Sequence, residues 1–216
     1  MPEPGEMRGT GRAGAGQETI LHQILIFHGE VRRMIYLETP RLLLRGWKES
    51  DVEPFAKINE DPQVMRYFPK TLSRAESHQM YQKIESEFRE CGNGLYAVEK
   101  KENGEFIGFI GFHRATFPAD FTPCIEIGWR LKKEAWGNGY ATEGAAACLQ
   151  YGFSTLGFDE VYSFTADVNT PSKNVMTKIG MKFIKYFHHP NVDVNSPLSK
   201  HVLYHITSDE AKGDKQ

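Results

Sequence analysis

No two cysteines in this 216-residue sequence stand two residues apart. The three that occur, Cys91, Cys124 and Cys148, are odd in number and widely spaced, which excludes a zinc ribbon or a disulfide framework and fits free thiols in a reducing cytoplasm. A basic surplus is also missing. With 26 Lys and Arg against 28 Asp and Glu, the formal net charge is −2, so the charge footprint of a nucleic-acid binder is absent. Long hydrophobic runs are missing too. The most apolar early stretch, Ile20-Leu-His-Gln-Ile-Leu-Ile-Phe27, is too short and too interrupted to span a bilayer, and it lacks the basic start and small-residue cleavage site of a secretory signal. No G-x-x-x-x-G-K-[ST] occurs, which excludes a P-loop. The one histidine cluster, His188-His189, reads as part of a loop beside Pro190, so no metal is expected.

What is present is an ordinary globular composition, 40% hydrophobic, 12% aromatic and 25% charged, long enough for one core. Residues 1–33 differ, with five glycines in the first sixteen positions, and are expected to form a poorly ordered leader. Met34 directly precedes the first patterned segment and is a candidate start. One domain is expected over 34–208, followed by a polar tail over 209–216.

Along that domain the pattern reads strand (41–47), helix to about 60, helix to about 89, strands at 95–101, 105–114 and 123–131, and a helix from 140 to 156. A strand at 159–167, a short helix and two closing strands at 183–188 and 202–206 complete it. Ser50-Asp-Val-Glu53 and Ser73-Arg-Ala-Glu76 have the spacing of capping boxes. Asn103-Gly104 between strand patterns signals a hairpin. The result is α+β, a mixed and mostly antiparallel twisted sheet with a central parallel β-α-β unit and flanking helices.

The chemistry-bearing feature is Trp136-Gly-Asn-Gly-Tyr-Ala-Thr-Glu-Gly144, which runs from a strand through a glycine turn into a helix. Such a turn points backbone N–H groups at a phosphate. Thr142 occupies the third glycine position of a dinucleotide fingerprint, and an antiparallel hairpin precedes the loop, so a Rossmann reading fits poorly.

The stretch resembles the acyl-CoA loop Q/R-x-x-G-x-G/A of the GNAT N-acetyltransferases, with Gly139 and Ala141 in register and Trp136 in the Gln/Arg place. Further matches follow in order over about residues 37–207. They are Thr39-Pro-Arg-Leu-Leu-Leu-Arg45 with Asp51, Asp61-Pro62 and Val64; Glu126-Ile-Gly-Trp-Arg-Leu131; and Asn169-Thr-Pro-Ser172 followed by Val175-Met-Thr-Lys-Ile-Gly-Met-Lys-Phe183. Within that family the chain resembles the RimJ/RimL-like branch. The resemblance implies a GNAT-like fold, acetyl-CoA as co-substrate, an amine acceptor, no nucleic acid or membrane partner, and a monomer or homodimer.

By that resemblance Gly137, Asn138, Gly139, Tyr140, Ala141 and Thr142 hold the pyrophosphate. The strand containing Ile127, Gly128 and Trp129 pairs with pantetheine, with Gly128 as a bulge residue and a backbone donor near Ile127 or Trp129 for the thioester oxygen. Asn169 meets the pantetheine arm, or is only a turn asparagine. Glu126 is the expected base or water-positioner, unless it faces solvent or pairs with Arg130. Met176 stands where many members carry an acidic tyrosine. Ser172 is then the nearest hydroxyl, as general acid, as a helix N-cap, or as both. Trp47, Tyr67 and Phe68, with Phe187, are candidates for the acceptor pocket, although core packing explains any one of them better. The acceptor is read as a protein N-terminus or, alternatively, a small-molecule amine (antibiotic, polyamine or amino sugar). A non-catalytic acyl-CoA-binding module is the reading from another class.

Overall fold

The stretch Phe106-Ile-Gly-Phe-Ile-Gly-Phe112 contains no polar side chain, the pattern of a strand covered on both faces. In the computed structural model of the protein it becomes the middle of an eight-stranded sheet. Residues 34–213 are described, together with the backbone of two short strands before them. Those two, β1 (Ile26–Phe27) and β2 (Glu30–Val31), pair antiparallel with each other and belong to a separate unit. The rest of the expected leader lies outside the described residues.

The main sheet takes the order β3-β4-β5-β6-β7-β8-β10-β9. Its strands are β3 (Ile35–Glu38), β4 (Leu42–Arg45), β5 (Leu95–Lys100), β6 (Phe106–Ala115), β7 (Cys124–Leu131), β8 (Glu160–Ala166), β9 (Lys182–His188) and β10 (Lys200–Thr207). Every neighbouring pair is antiparallel except β7 and β8, which run parallel across the crossover helix α3 (Tyr140–Ser154). Helices α1 (Val52–Glu60) and α2 (Arg74–Cys91) bury Phe55, Ile58, Tyr81 and Ile84 against Trp47 and Phe109 on one face. On the other face α3 and α4 (Thr170–Lys178) bury Ala145, Cys148, Leu149 and Met176 against Ile110, Phe112, Ile127 and Leu131.

Ser73 behaves as its spacing predicts. Its Oγ accepts from Glu76 N–H at 3.3 Å, and the Glu76 carboxylate accepts from Ser73 N–H at 2.8 Å. Four local expectations change. Strand β3 precedes the first strand that the sequence pattern shows. Ser50 does not cap α1; Asp51 takes the Lys48 N–H at 2.7 Å and the Arg45 guanidinium at 2.7 and 3.0 Å. Ser172 does not cap α4, because Asn169 does, its Oδ1 accepting from Ser172 N–H. Residues 208–213 are not tail but α5 (Ser208–Gly213), opened by Thr207 and Glu210 in the same reciprocal T-x-x-E geometry as Ser73 and Glu76.

Candidate active site

Strands β7 and β8 share a single rung, Glu126 opposite Tyr162. Beyond it they part, and a cleft of about 530 Å³ opens at their carboxyl ends. Ligands collect at this place in a sheet, because backbone groups there have lost their partner strand. The Ile127 carbonyl turns toward β8, where the buried Ser163 hydroxyl donates to it at 2.8 Å. Backbone groups alternate edges along a strand, so Trp129, two residues on, directs its N–H into the gap. Gly128 is not the bulge expected of it, since the β6–β7 ladder runs in unbroken register from Gly108–Leu131 to Ala115–Cys124. The opening comes from β8 diverging, not from an inserted residue. A Cβ on Gly128 would meet only the Glu126 carboxylate, at 3.9 Å, so this glycine lies in the open floor of the cleft.

At the mouth stands the glycine turn. Gly137 and Gly139 have φ of 75° and 79°, a left-handed backbone that strains any residue with a Cβ. The helix closes its first bond from Glu143 N–H to the Gly139 carbonyl, leaving the N–H groups of Tyr140, Ala141 and Thr142 without intrahelical acceptors. Together with the helix dipole they form an anion seat. The turn is fixed from both sides. The Asn138 amide donates to the carbonyls of Ala135 (3.3 Å) and Trp136 (3.0 Å), and the Asn138 carbonyl accepts from Arg41 at 2.9 Å. Arg41 also pairs with Glu143 at 2.6 Å. Asn138 therefore shapes the loop, and its side chain is not among those lining the cleft.

Trp136 donates its indole N–H to the Leu131 carbonyl at 2.9 Å, and the Arg66 guanidinium lies 5.2 Å from its ring. Arg66, from the loop between α1 and α2, thus brings a positive charge to the rim where the motif itself carries none. Its position was not legible in the sequence, because 70 residues separate it from the tryptophan it covers.

Glu126 lies in the cleft wall, partly accessible but closely surrounded by protein. Desolvation pushes its carboxyl up from 4.5 to about 8; His113, directly opposite on β6, pulls it down, and Glu87 pushes it up. His113 is itself held above its ordinary value, chiefly by its 2.8 Å bond to Glu87. Arg130 does not pair with Glu126 and bonds instead to Asn59. Met176 is 1% exposed in the core and offers no proton. The Ser172 hydroxyl lines the cleft and has no hydrogen-bond partner among the described residues.

Among the remaining candidates, Tyr67, Phe68 and Asn169 line the cleft. Trp47 does not. It is 0% exposed, donates to the Leu95 carbonyl at 2.7 Å and meets Phe55 edge-on, so it is core and not an acceptor contact. The Ile127 side chain is core as well, leaving only its backbone near the gap. Phe187 stacks in a separate aromatic group with Phe117 and Phe121.

The acetyltransferase (GNAT) domain family matches residues 41–182, which span the anion seat, the split strands and Glu126. The chain belongs to this family. It is 31% identical over 150 residues to an uncharacterised N-acetyltransferase of Bacillus subtilis, YoaA, covering 68% of this chain and 82% of that one. Among solved structures it is similar to a GNAT-family acetyltransferase from Bacillus anthracis, with a TM-score of 0.68, 26% identity, and coverage of 82% and 99% of the two chains. It shares its fold with Mycobacterium smegmatis RimJ in complex with CoA-disulfide, with a TM-score of 0.64, 21% identity, and coverage of 78% and 83%.

As a GNAT enzyme the protein is an acyltransferase, and the family's co-substrate is acetyl-CoA. The site fits that molecule: an anion seat at the mouth, then an unpaired strand edge, then a carboxylate. Among the described residues no group of three His, Cys, Asp or Glu is placed to hold a metal, and no helix is long and apolar enough to cross a membrane.

Proposed function

We propose that the enzyme transfers the acetyl group directly to a primary α-amine, of the kind presented by a protein N-terminus, with both substrates bound together. The RimJ-like branch is the setting this reading favours. The pyrophosphate sits on the N–H groups of Gly137 to Thr142, and pantetheine runs along the open edge of β7. The Trp129 N–H meets the thioester oxygen, a contact typically worth about 3–4 kcal/mol of barrier. Glu126 accepts the amine proton, and Ser172 is the nearest hydroxyl for the leaving thiolate.

The observation that carries the proposal is the place of Glu126, in the cleft wall at the last rung before β7 and β8 part, with its carboxyl raised to about 8 by desolvation. An α-amine titrates at about 7.7–8.0, so proton exchange between the two is nearly thermoneutral; for a lysine amine near 10.4 it is uphill. A covalent route through cysteine fits poorly. Burial pushes the Cys124 thiol up to about 11, Cys148 is fully buried in the core, and neither lines the cleft. Among the described residues Glu126 is the only acidic one lining the cleft, which is not the carboxylate cluster a polyamine would need. Thiol release from acetyl-CoA over a panel of N-terminal peptides, lysine-side-chain amines and polyamines tests the reading. Peptide α-amines should be preferred, and a preference for polyamines would sink it.

A further inference from the structure

Among the described residues two arginines are buried, and they are treated very differently. Arg45 is held by two carboxylates, Asp51 at 2.7 Å and Glu99 at 2.7 Å. Arg130, 9% exposed, has no carboxylate within ion-pair distance among the described residues. Its Nη1 donates to Asn59 Oδ1 at 2.6 Å, with the Met80 sulfur 3.7 Å away. Asn59 is itself fixed, its amide donating to the Ser77 hydroxyl at 3.1 Å in the core. The guanidinium lies 4.3 Å from the ring of Phe68 and 5.4 Å from that of Phe109. Among the described residues its buried Nε has no acceptor, and Nη2 makes no hydrogen bond. Nε and Nη2 form the edge that meets a carboxylate through two parallel bonds. An unpaired buried charge is costly, and proteins seldom keep one without a partner to meet it.

Arg130 lines the same cleft as Glu126, on the same face of β7 and four residues further on, about 13 Å along the strand. The Glu126 carboxylate leans over Gly128 toward it. The outer cover is Phe68, 38% exposed.

We infer that Arg130 binds a carboxylate on the acceptor, so that the preferred substrate is an amine that also carries an acid. Glu126 receives the amine end and the free Nε–Nη2 edge receives the carboxylate. The acid is either the α-carboxylate of a free amino acid or an acidic side chain beside a peptide N-terminus. Desolvation lowers the Arg130 guanidinium to about 10, as expected of a cation that lacks its counter-charge. The inference rests on the acetyl-transfer reading above and names the class of acceptor within it.

The test uses matched acceptors at saturating acetyl-CoA. Alanine is compared with alaninamide, and the peptide amide Ala-Asp-Ala with Ala-Asn-Ala. The acid member of at least one pair should show a kcat/KM about 10-fold or more above its amide, and the pair that does so identifies the source of the carboxylate. Arg130→Gln should erase that preference, bringing the acid and amide members of the pair within about 2-fold of each other, while the acetyl-CoA Kd stays within about 2-fold. Arg130→Lys keeps the charge without the fork; it should retain part of the preference and serves if the glutamine variant fails to fold. Binding of the N-acetylated products to the CoA complex is measured in parallel and needs no turnover. A product preference for the acid that Arg130→Gln abolishes, without turnover of any amine, would overturn the transfer reading and keep the carboxylate site. Equal treatment of acid and amide by the wild type in both assays, or a preference that survives in Arg130→Gln, overturns the inference.

Discussion

Replacing Glu126 by glutamine should slow the reaction at neutral pH and yet make the protein more stable, with a gain that depends on pH. The folded carboxyl titrates at about 8 against 4.5 when unhindered. Its folded value lies above its unfolded one, so the contribution of Glu126 to stability is fully present below about pH 4.5. Stability is then lost as pH rises through about 8, because the unfolded chain releases a proton the folded chain retains. At pH 7 the gap is 2.5 units, an upper bound of about 3.4 kcal/mol at 1.36 kcal/mol per unit. The carboxylate keeps some contact with water in the cleft, so about 2 kcal/mol is the working expectation. For a domain of this size that is a Tm higher by about 4–8 °C at pH 7. Glutamine cannot ionise and matches the shape of the protonated acid. The difference between variant and wild type should therefore be near zero at pH 4.5, grow through pH 7 and level off above pH 8. Denaturant melts of both proteins at half-unit pH steps read it directly. Stability curves that run parallel from pH 5 to 8 would show that Glu126 is not held in a desolvated site.

Other outcomes follow from the same geometry. Gly139→Val places a Cβ at φ 79°, and it should raise the acetyl-CoA Kd by about 10-fold or more in a titration while the chain remains folded by circular dichroism. His113→Gln removes the neighbour that lowers the Glu126 carboxyl, so the midpoint of the rising limb of the pH–rate profile should move upward; a downward move would contradict the pairing. Ser172→Ala should lower kcat with little change in Tm, because Asn169 caps α4. Asn169→Ala should cost about 1 kcal/mol of stability in a thermal melt.

The fold was legible wherever its signals were local. Ser73 and Glu76, Asn103-Gly104 and the strand–glycine–helix run each carry their geometry within a few residues, and each forms as read. The Thr207–Glu210 cap was equally local, but polarity hid it behind the appearance of a tail. The anion seat could be located from Gly137 and Gly139 because positive φ is a demand that sequence displays. What sequence hides is long-range compensation. Nothing near Trp47 shows that it sits under α1 and α2, nothing near Trp136 points to Arg66, and Asn59 gives no hint that it orients Arg130 across 71 residues. Arg130 and Asn59 meet from such distant parts of the chain, whereas the glycine turn and its helix are one continuous stretch.

The central claim is that Glu126 takes the proton from the attacking amine. Single-turnover acetyl transfer to an N-terminal peptide, followed from pH 6 to 9.5 in the wild type and in Glu126→Gln, tests it most directly. The wild-type rate should climb and level off near pH 8. The variant should be slower by about 100-fold at pH 7, with the gap narrowing above pH 9 as the amine loses its own proton. A variant that keeps nearly the full wild-type rate across that range would contradict the account.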